Sequence, residues 1–297
     1  MQVKIGTRGS KLALWQAEYT KRLLEKLGAQ VELVIIKTKG DRIQDIGFAK
    51  MEGKGFFTKE IEDALLRGDV DLAVHSMKDM PTNSPEGLVI TAVSYRENPA
   101  DWLIIRKDKT AENKLLKLPE NATVGTSSAR RKAQMLHFRP DVNLQDIRGN
   151  VPTRLQKLRD GGFDAILLAA AGIERLEIDL SEFTVVKLHP KEMVPAPAQG
   201  VLAWQTCTED KKIRRLLKNL HNTDTAAATN VERKVLNLFQ GGCQMPLGVY
   251  CERDHGGNYH VQAAMADSWD APVKRVSVSQ STAAGLAEKV VERLKGL

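Results

Sequence analysis

One short pattern occurs twice in this chain: an apolar strand, a Gly-Thr turn and a helix. In the first copy Val3-Lys4-Ile5 is extended and Gly6-Thr7-Arg8-Gly9-Ser10 turns. Residues 11–27 then place Leu12, Trp15, Tyr19, Leu23 and Leu27 at helical spacing before a stop at Gly28. A second apolar strand is predicted at 31–36 and a helix at 58–66, after which Gly68-Asp69-Val70-Asp71 leads into Leu72-Ala73-Val74-His75. In the second copy Thr123-Val124-Gly125-Thr126-Ser127-Ser128 repeats the strand and turn, and a helix follows at 129–137. A helix at 154–159 precedes Gly161-Gly162-Phe163-Asp164 and the strand Ala165-Ile166-Leu167-Leu168, in the same order as 68–75. Strands alternating with helices predict parallel, covered sheets. The fold class is therefore α/β, with two lobes of similar build.

Between residues 91 and 105 the chain crosses from one lobe to the other. Val194-Pro195-Ala196-Pro197-Ala198-Gln199-Gly200 reads as the return, because its prolines favour extended backbone. Two crossings predict a double-crossover hinge with a cleft between the lobes. Lobe 1 is expected at 1–94 plus 195–218, lobe 2 at 95–194, and a small α+β domain at 219–297. That last part carries a helix at 224–239, strands at 247–251, 259–265 and 273–278, and a final helix at 282–294.

Composition narrows the function. The length of 297 residues suits two or three domains. Cys207, Cys243 and Cys251 are too few for a disulfide scaffold and form no C-x-x-C pair. The histidines are scattered without zinc spacing, so no metal is expected. No run approaches ~18 consecutive apolar residues, so no membrane-spanning helix is expected. Met1-Gln2-Val3-Lys4-Ile5-Gly6 runs straight into a strand pattern without a leader motif, which predicts a cytoplasmic or already processed protein. The 44 basic and 37 acidic residues give a net charge of +7, which suggests an anionic partner. Aromatic residues are only 5%, little material for stacking nucleic-acid bases.

Both Gly-Thr turns open helices, whose first backbone N–H groups favour an anion. Arg8 stands in the first turn, and Arg130 and Arg131 follow the second. Ser10, Ser127 and Ser128 can cap the helices or donate to a ligand. Capping accounts for the serines but not for the arginines, which the helix dipole disfavours at that end. An Arg pair there fits an anionic ligand. Other basic residues lie in loops: Lys50 and Lys54 within 49–57, Arg148 and Arg154 around Gly149-Asn150-Val151-Pro152-Thr153, and Arg175 beyond the 165–168 strand. Singly each reads as a surface charge. Together they fall at strand-to-helix junctions, where open α/β sheets bind ligands, and arginine suits carboxylates. One acid stands among these cations: Asp79, in His75-Ser76-Met77-Lys78-Asp79-Met80-Pro81, with an ordinary turn role as the alternative. Cys243, in Gln240-Gly241-Gly242-Cys243-Gln244-Met245-Pro246, reads either as a small hydrophobe or as a reactive thiol on a turn.

These two segments, with Gly125-Thr126-Ser127-Ser128-Ala129-Arg130-Arg131 and Arg148-Gly149-Asn150-Val151-Pro152-Thr153-Arg154, resemble the porphobilinogen deaminase (hydroxymethylbilane synthase) family, in order, from Ile5 to at least Pro246. The resemblance implies two lobes like those of type II periplasmic binding proteins plus a small third domain. It implies a transferase that condenses four porphobilinogen units head to tail, with loss of ammonia, into the linear tetrapyrrole hydroxymethylbilane. The primer would be a dipyrromethane cofactor in thioether linkage to Cys243. By the same resemblance Asp79 is the catalytic acid, assisting departure of the aminomethyl nitrogen and stabilising the cationic azafulvene. Ser10, Lys78, Thr126, Ser128, Arg130, Arg131, Arg148, Gly149 and Asn150 fall on the cofactor side. Arg8, Gln16, Lys50, Lys54, Phe57, Arg154, Arg175 and Gln199 fall on the substrate side. Two stretches depart from the family pattern: Glu52 in the 49–57 loop, and Ala203-Trp204-Gln205, where an acidic side chain is common.

Two other classes compete. A non-catalytic anion-binding protein of the same build would lack an adduct at Cys243, and a leader motif would favour it. A nucleic-acid-binding regulator would need a recognition helix or stacking aromatics, and neither is evident. A small-molecule substrate, no nucleic acid, no membrane and a monomer are the expectations.

Overall fold

The computed structural model describes residues 1–38, 58–242 and 244–297. In chain order the elements are β1 (Gln2–Thr7), α1 (Lys11–Lys26), β2 (Gln30–Ile35), α2 (Lys59–Arg67), β3 (Leu72–Ser76) and β4 (Leu88–Val93). Then come β5 (Asp101–Arg106), β6 (Thr123–Gly125), α3 (Ala129–Phe138), β7 (Asn143–Gln145), α4 (Val151–Arg159), β8 (Ala165–Ala169), α5 (Ala170–Arg175) and β9 (Phe183–Leu188). The chain closes with β10 (Leu202–Cys207), α6 (Lys211–Leu217), α7 (Thr223–Leu238), β11 (Leu247–Arg253), β12 (Tyr259–Met265), β13 (Lys274–Gln280) and α8 (Leu286–Lys295).

Two compact units form: Met1–Glu97 with Gly200–Ala227, and Asn98–Gln199 with Ala228–Leu297. The first holds a sheet of order β2-β1-β3-β10-β4, the second a sheet of order β7-β6-β8-β5-β9. The two orders are the same arrangement, with each lobe's own first strand second in line and the strand that arrives from the other sheet fourth. The α/β class and the two like-built lobes expected from the repeat are borne out. The prediction of parallel sheets needs one correction. β10 runs antiparallel to β3 and β4, and β5 runs antiparallel to β8 and β9. Each crossing segment leaves one sheet at the carboxyl edge and enters the next at its carboxyl edge, so it must run against the strands it joins.

Local chemistry explains the repeated grammar. Ser10 caps α1, its Oγ accepting from Ala13 N–H at 3.3 Å, and Ser128 caps α3, accepting from Arg131 N–H at 3.4 Å. The shared glycine lies under close neighbours in both copies, more tightly in the second. A Cβ on Gly6 would stand 3.1 Å from Val70 Cγ2, and one on Gly125 would stand 2.8 Å from Phe163 Cδ1. Ile5, Leu72, Leu24 and Trp204 fill one core of the first unit, and Trp204 Nε1 donates to Thr20 Oγ1 at 2.9 Å. In the second, Leu103, Ile105 and Val124 of the sheet form a buried cluster with Met135 of α3.

The second unit also holds the antiparallel sheet β11-β12-β13, with α8 against β13 and an apolar core running from Val231 and Val235 to Leu294. Buried Glu232 on α7 accepts from Ala198 N–H at 2.6 Å and from Cys251 N–H at 2.7 Å. It thereby pins the return segment, where Ala198 has a φ of 62°, to this sheet. No helix among the described residues is long and apolar enough to cross a membrane.

Candidate active site

In the first unit β3 ends at Ser76, and a single 3-10 turn, Met77–Asp79, carries Lys78 and Asp79 off the carboxyl end of the sheet. Met77 N–H donates to Val201 O at 2.9 Å and Met80 N–H to Met77 O at 3.2 Å, with both methionine side chains buried. The backbone is thus held while Asp79 itself is exposed and Lys78 half-buried. Buried Gln16, on α1, donates from Nε2 to Ser76 Oγ at 2.8 Å, which ties the helix to the strand end. Arg8 lies half-buried between β1 and the Ser10 cap.

Behind this edge runs a buried polar path that sequence reasoning missed. His75 Nε2 lies 3.1 Å from Gln205 Oε1, Gln205 Nε2 donates to Glu62 Oε1 at 3.0 Å, and Thr58 Oγ1 donates to Glu62 Oε2 at 3.2 Å. Because the Gln205 amide gives its hydrogen to Glu62, its oxygen faces the ring and His75 Nε2 carries the proton. Burial lowers the His75 pKa to about 4; the Gln205 bond opposes the shift and the Arg8 charge adds to it. Gln205 belongs to the stretch that departs from the family pattern. The departure was the available signal.

In the second unit Arg130, Arg131 and Gln199, all predicted site residues, converge on one acid. Arg130 Nη1 donates to Asp101 Oδ2 at 2.7 Å and to Val194 O at 2.9 Å. Arg131 donates to Asp101 Oδ1 from Nη2 at 2.7 Å and from Nε at 3.2 Å, and from Nη1 to Leu167 O at 3.1 Å. Gln199 Nε2 donates to Pro99 O at 2.7 Å and to Asp101 Oδ1 at 2.9 Å. All four side chains are buried. Burial alone would push the Asp101 carboxyl up, but the Arg130 and Arg131 charges hold it well below the usual carboxylate range. Asp101 was not among the sequence candidates. It stands far from the arginines in sequence and looks like a strand-opening turn residue after Pro99.

Beside them Thr126 is buried, its Oγ1 accepting from Ser128 N–H at 3.3 Å. Gly149 adopts a φ of 109°, and exposed Asn150 caps α4 with Oδ1, accepting from Thr153 N–H at 3.0 Å. Arg154 Nε donates to Gly149 O at 2.8 Å, Arg148 is half-buried, and Arg175 is buried at the end of α5. Lys50, Lys54, Phe57 and Cys243 lie outside the described residues. The two guanidiniums and one carboxylate sum to +1 at a helix start lined with hydroxyls, a donor set that fits the carboxylates of a dipyrromethane.

Comparison with known proteins agrees with this chemistry. Residues 3–215 match the family described as porphobilinogen deaminase, dipyromethane cofactor binding domain. A porphobilinogen deaminase of Nitratiruptor sp. is 49% identical over 249 residues, covering 84% of this chain and 78% of the relative. Another, of Nitratidesulfovibrio vulgaris, is 45% identical over 274 residues, covering 91% and 84%. Among solved structures, the methionine-binding protein MetQ gives a TM-score of 0.46 at 14% identity, covering 81% of this chain and 96% of that one. A putative methionine-binding lipoprotein of Bacillus subtilis gives 0.45 at 12%, covering 75% and 92%. At those scores neither bears on function. The family match takes in both Gly-Thr turns, the Asp79 turn and the Arg130–Arg131 pair, and the named relatives align over most of their own length: the chain belongs to the porphobilinogen deaminase family.

Proposed function

We propose that this chain is a transferase that joins four porphobilinogen units head to tail, releasing ammonia at each addition and hydroxymethylbilane at the end. Cys243 holds the dipyrromethane cofactor by a thioether, and Asp79 is the acid–base group. When bound, the cofactor supplies the terminal pyrrole to which the first unit adds. Asp79 gives a proton to the departing aminomethyl nitrogen, and its carboxylate then faces the developing positive charge. Ser10, Lys78, Thr126, Ser128, Arg130, Arg131, Arg148, Gly149 and Asn150 serve the cofactor. Arg8, Gln16, Lys50, Lys54, Phe57, Arg154, Arg175 and Gln199 serve the incoming units, whose acetate and propionate groups need cationic partners. The three-part division at 1–94 with 195–218, 95–194 and 219–297 belongs to the same reading, as do a cytoplasmic monomer and the lack of nucleic-acid or membrane partners.

The observation that carries this reading is the family match across residues 3–215. Exposed Asp79 on an anchored turn supports its role. The test is porphobilinogen consumption by the purified chain and by Asp79→Asn, which keeps the shape and loses the charge. Turnover should fall by on the order of 10²-fold or more. Near-normal turnover would assign the proton transfer to another residue.

A further inference from the structure

Arg130 and Arg131 occupy a place that is unfavourable on three counts. They sit in the first turn of α3, where the helix dipole opposes positive charge. They are neighbours of like charge, and both are buried. One group offsets all three: Asp101, which has no exposed surface and accepts from both guanidiniums and from Gln199. Its location follows from topology. Asp101 opens the antiparallel strand β5 and stands opposite Ala169, the last residue of β8. That register brings it to the carboxyl edge of the sheet, beside the start of α3.

The first unit offers an internal control. There the arriving strand β10 opens with Leu202, opposite Ser76, the last residue of β3. The residues two and three beyond the Ser10 cap are Leu12 and Ala13, where the Ser128 cap is followed at the same spacing by Arg130 and Arg131. Acid and arginine pair are present together in one unit and absent together in the other. A structural requirement of the sheet order would have placed an acid in both.

We propose that Asp101 is a positioning residue for the cofactor: an internal anion that holds Arg130 and Arg131 at the start of α3 and leaves the set one net positive charge with which to take a cofactor carboxylate. This rests on the reading above that the pair serves the cofactor. Removing the acid leaves two charges in a buried space, and a small monocarboxylate from solution can take the missing position.

The test uses full-length Asp101→Ala with formate, and with chloride at equal ionic strength. Two quantities are read: the thermal midpoint, and the fraction of chains that carry the covalent cofactor after incubation with porphobilinogen, by intact mass. Asp101→Ala should load at least tenfold less than the parent chain. Formate, but not chloride, should raise its midpoint and restore at least half of the loading. Loading at the parent level without formate, or equal effects of formate and chloride, would overturn the proposal. Asp101→Asn fills the space and serves where Asp101→Ala does not fold. It should also load at least tenfold less and ignore formate; parental loading overturns the proposal here too. A parent chain that never carries the cofactor would instead overturn the functional reading, while a formate-specific rise in the Asp101→Ala midpoint would still support the internal anion.

Discussion

His75 shows how one buried side chain sets a pH dependence. Its folded pKa is about 4, against 6.5 for the unperturbed group. The unfolded chain therefore binds a proton at His75 more readily than the folded one does. Stability from this site is complete above pH 6.5 and is lost as pH falls from 6.5 to 4, by on the order of 3 kcal/mol in all. His75→Asn, which cannot titrate, should flatten that slope. Urea midpoints at pH 7 and pH 5 check this, and an unchanged slope would assign the acid sensitivity elsewhere. Asp101, held below the usual carboxylate range, acts in a separate window, its contribution being lost only as pH falls below that range.

The start of α4 shows what an element requires of its residues. Gly149 has a φ of 109°, and a Cβ there would meet Thr153 Cβ at 2.7 Å and Cγ2 at 2.6 Å. Gly149→Ala combines left-handed strain with a clash and should cost about 1–3 kcal/mol. Asn150→Ala removes the cap and should cost about 1 kcal/mol. Thermal denaturation of the two variants tests the order, with Gly149→Ala the less stable. The Ser10 and Ser128 caps, the helix faces and the Gly-Thr turns were legible in the sequence because they are local, whereas α4 starts at Val151 rather than at the expected 154, so its Asn150 cap was not read. Ser10, Ser128 and Asn150 all cap the helices that follow them. The antiparallel insertion of β5 and β10, the Asp101 partnership and the His75–Gln205–Glu62 path were not legible. Each joins residues far apart in sequence, and only the sheet register brings them together.

At the scale of the molecule, the cations are distributed over both units: Arg8 in the first, and Arg130, Arg131, Arg148, Arg154 and Arg175 in the second. If they act at separate stations, their loss stops the growing chain at different lengths. Arg130→Ala and Arg131→Ala should block loading or the first addition, and Arg8→Ala and Arg175→Ala should stall later. A charge-assisted contact of about 1.5–3 kcal/mol is enough to decide which intermediate is held. The covalent species formed with porphobilinogen, resolved by mass, give the answer; a common stopping point for all variants would mean a diffuse field instead.

The central claim, a deaminase primed on Cys243, is tested most directly by the intact mass of the purified chain beside that of Cys243→Ser. The parent should exceed its sequence mass by one dipyrromethane. Cys243→Ser should show its sequence mass alone, and Cys207→Ser and Cys251→Ser should keep the increment. A parent chain at its bare sequence mass that still converts porphobilinogen, or an adduct that persists in Cys243→Ser, would contradict the account.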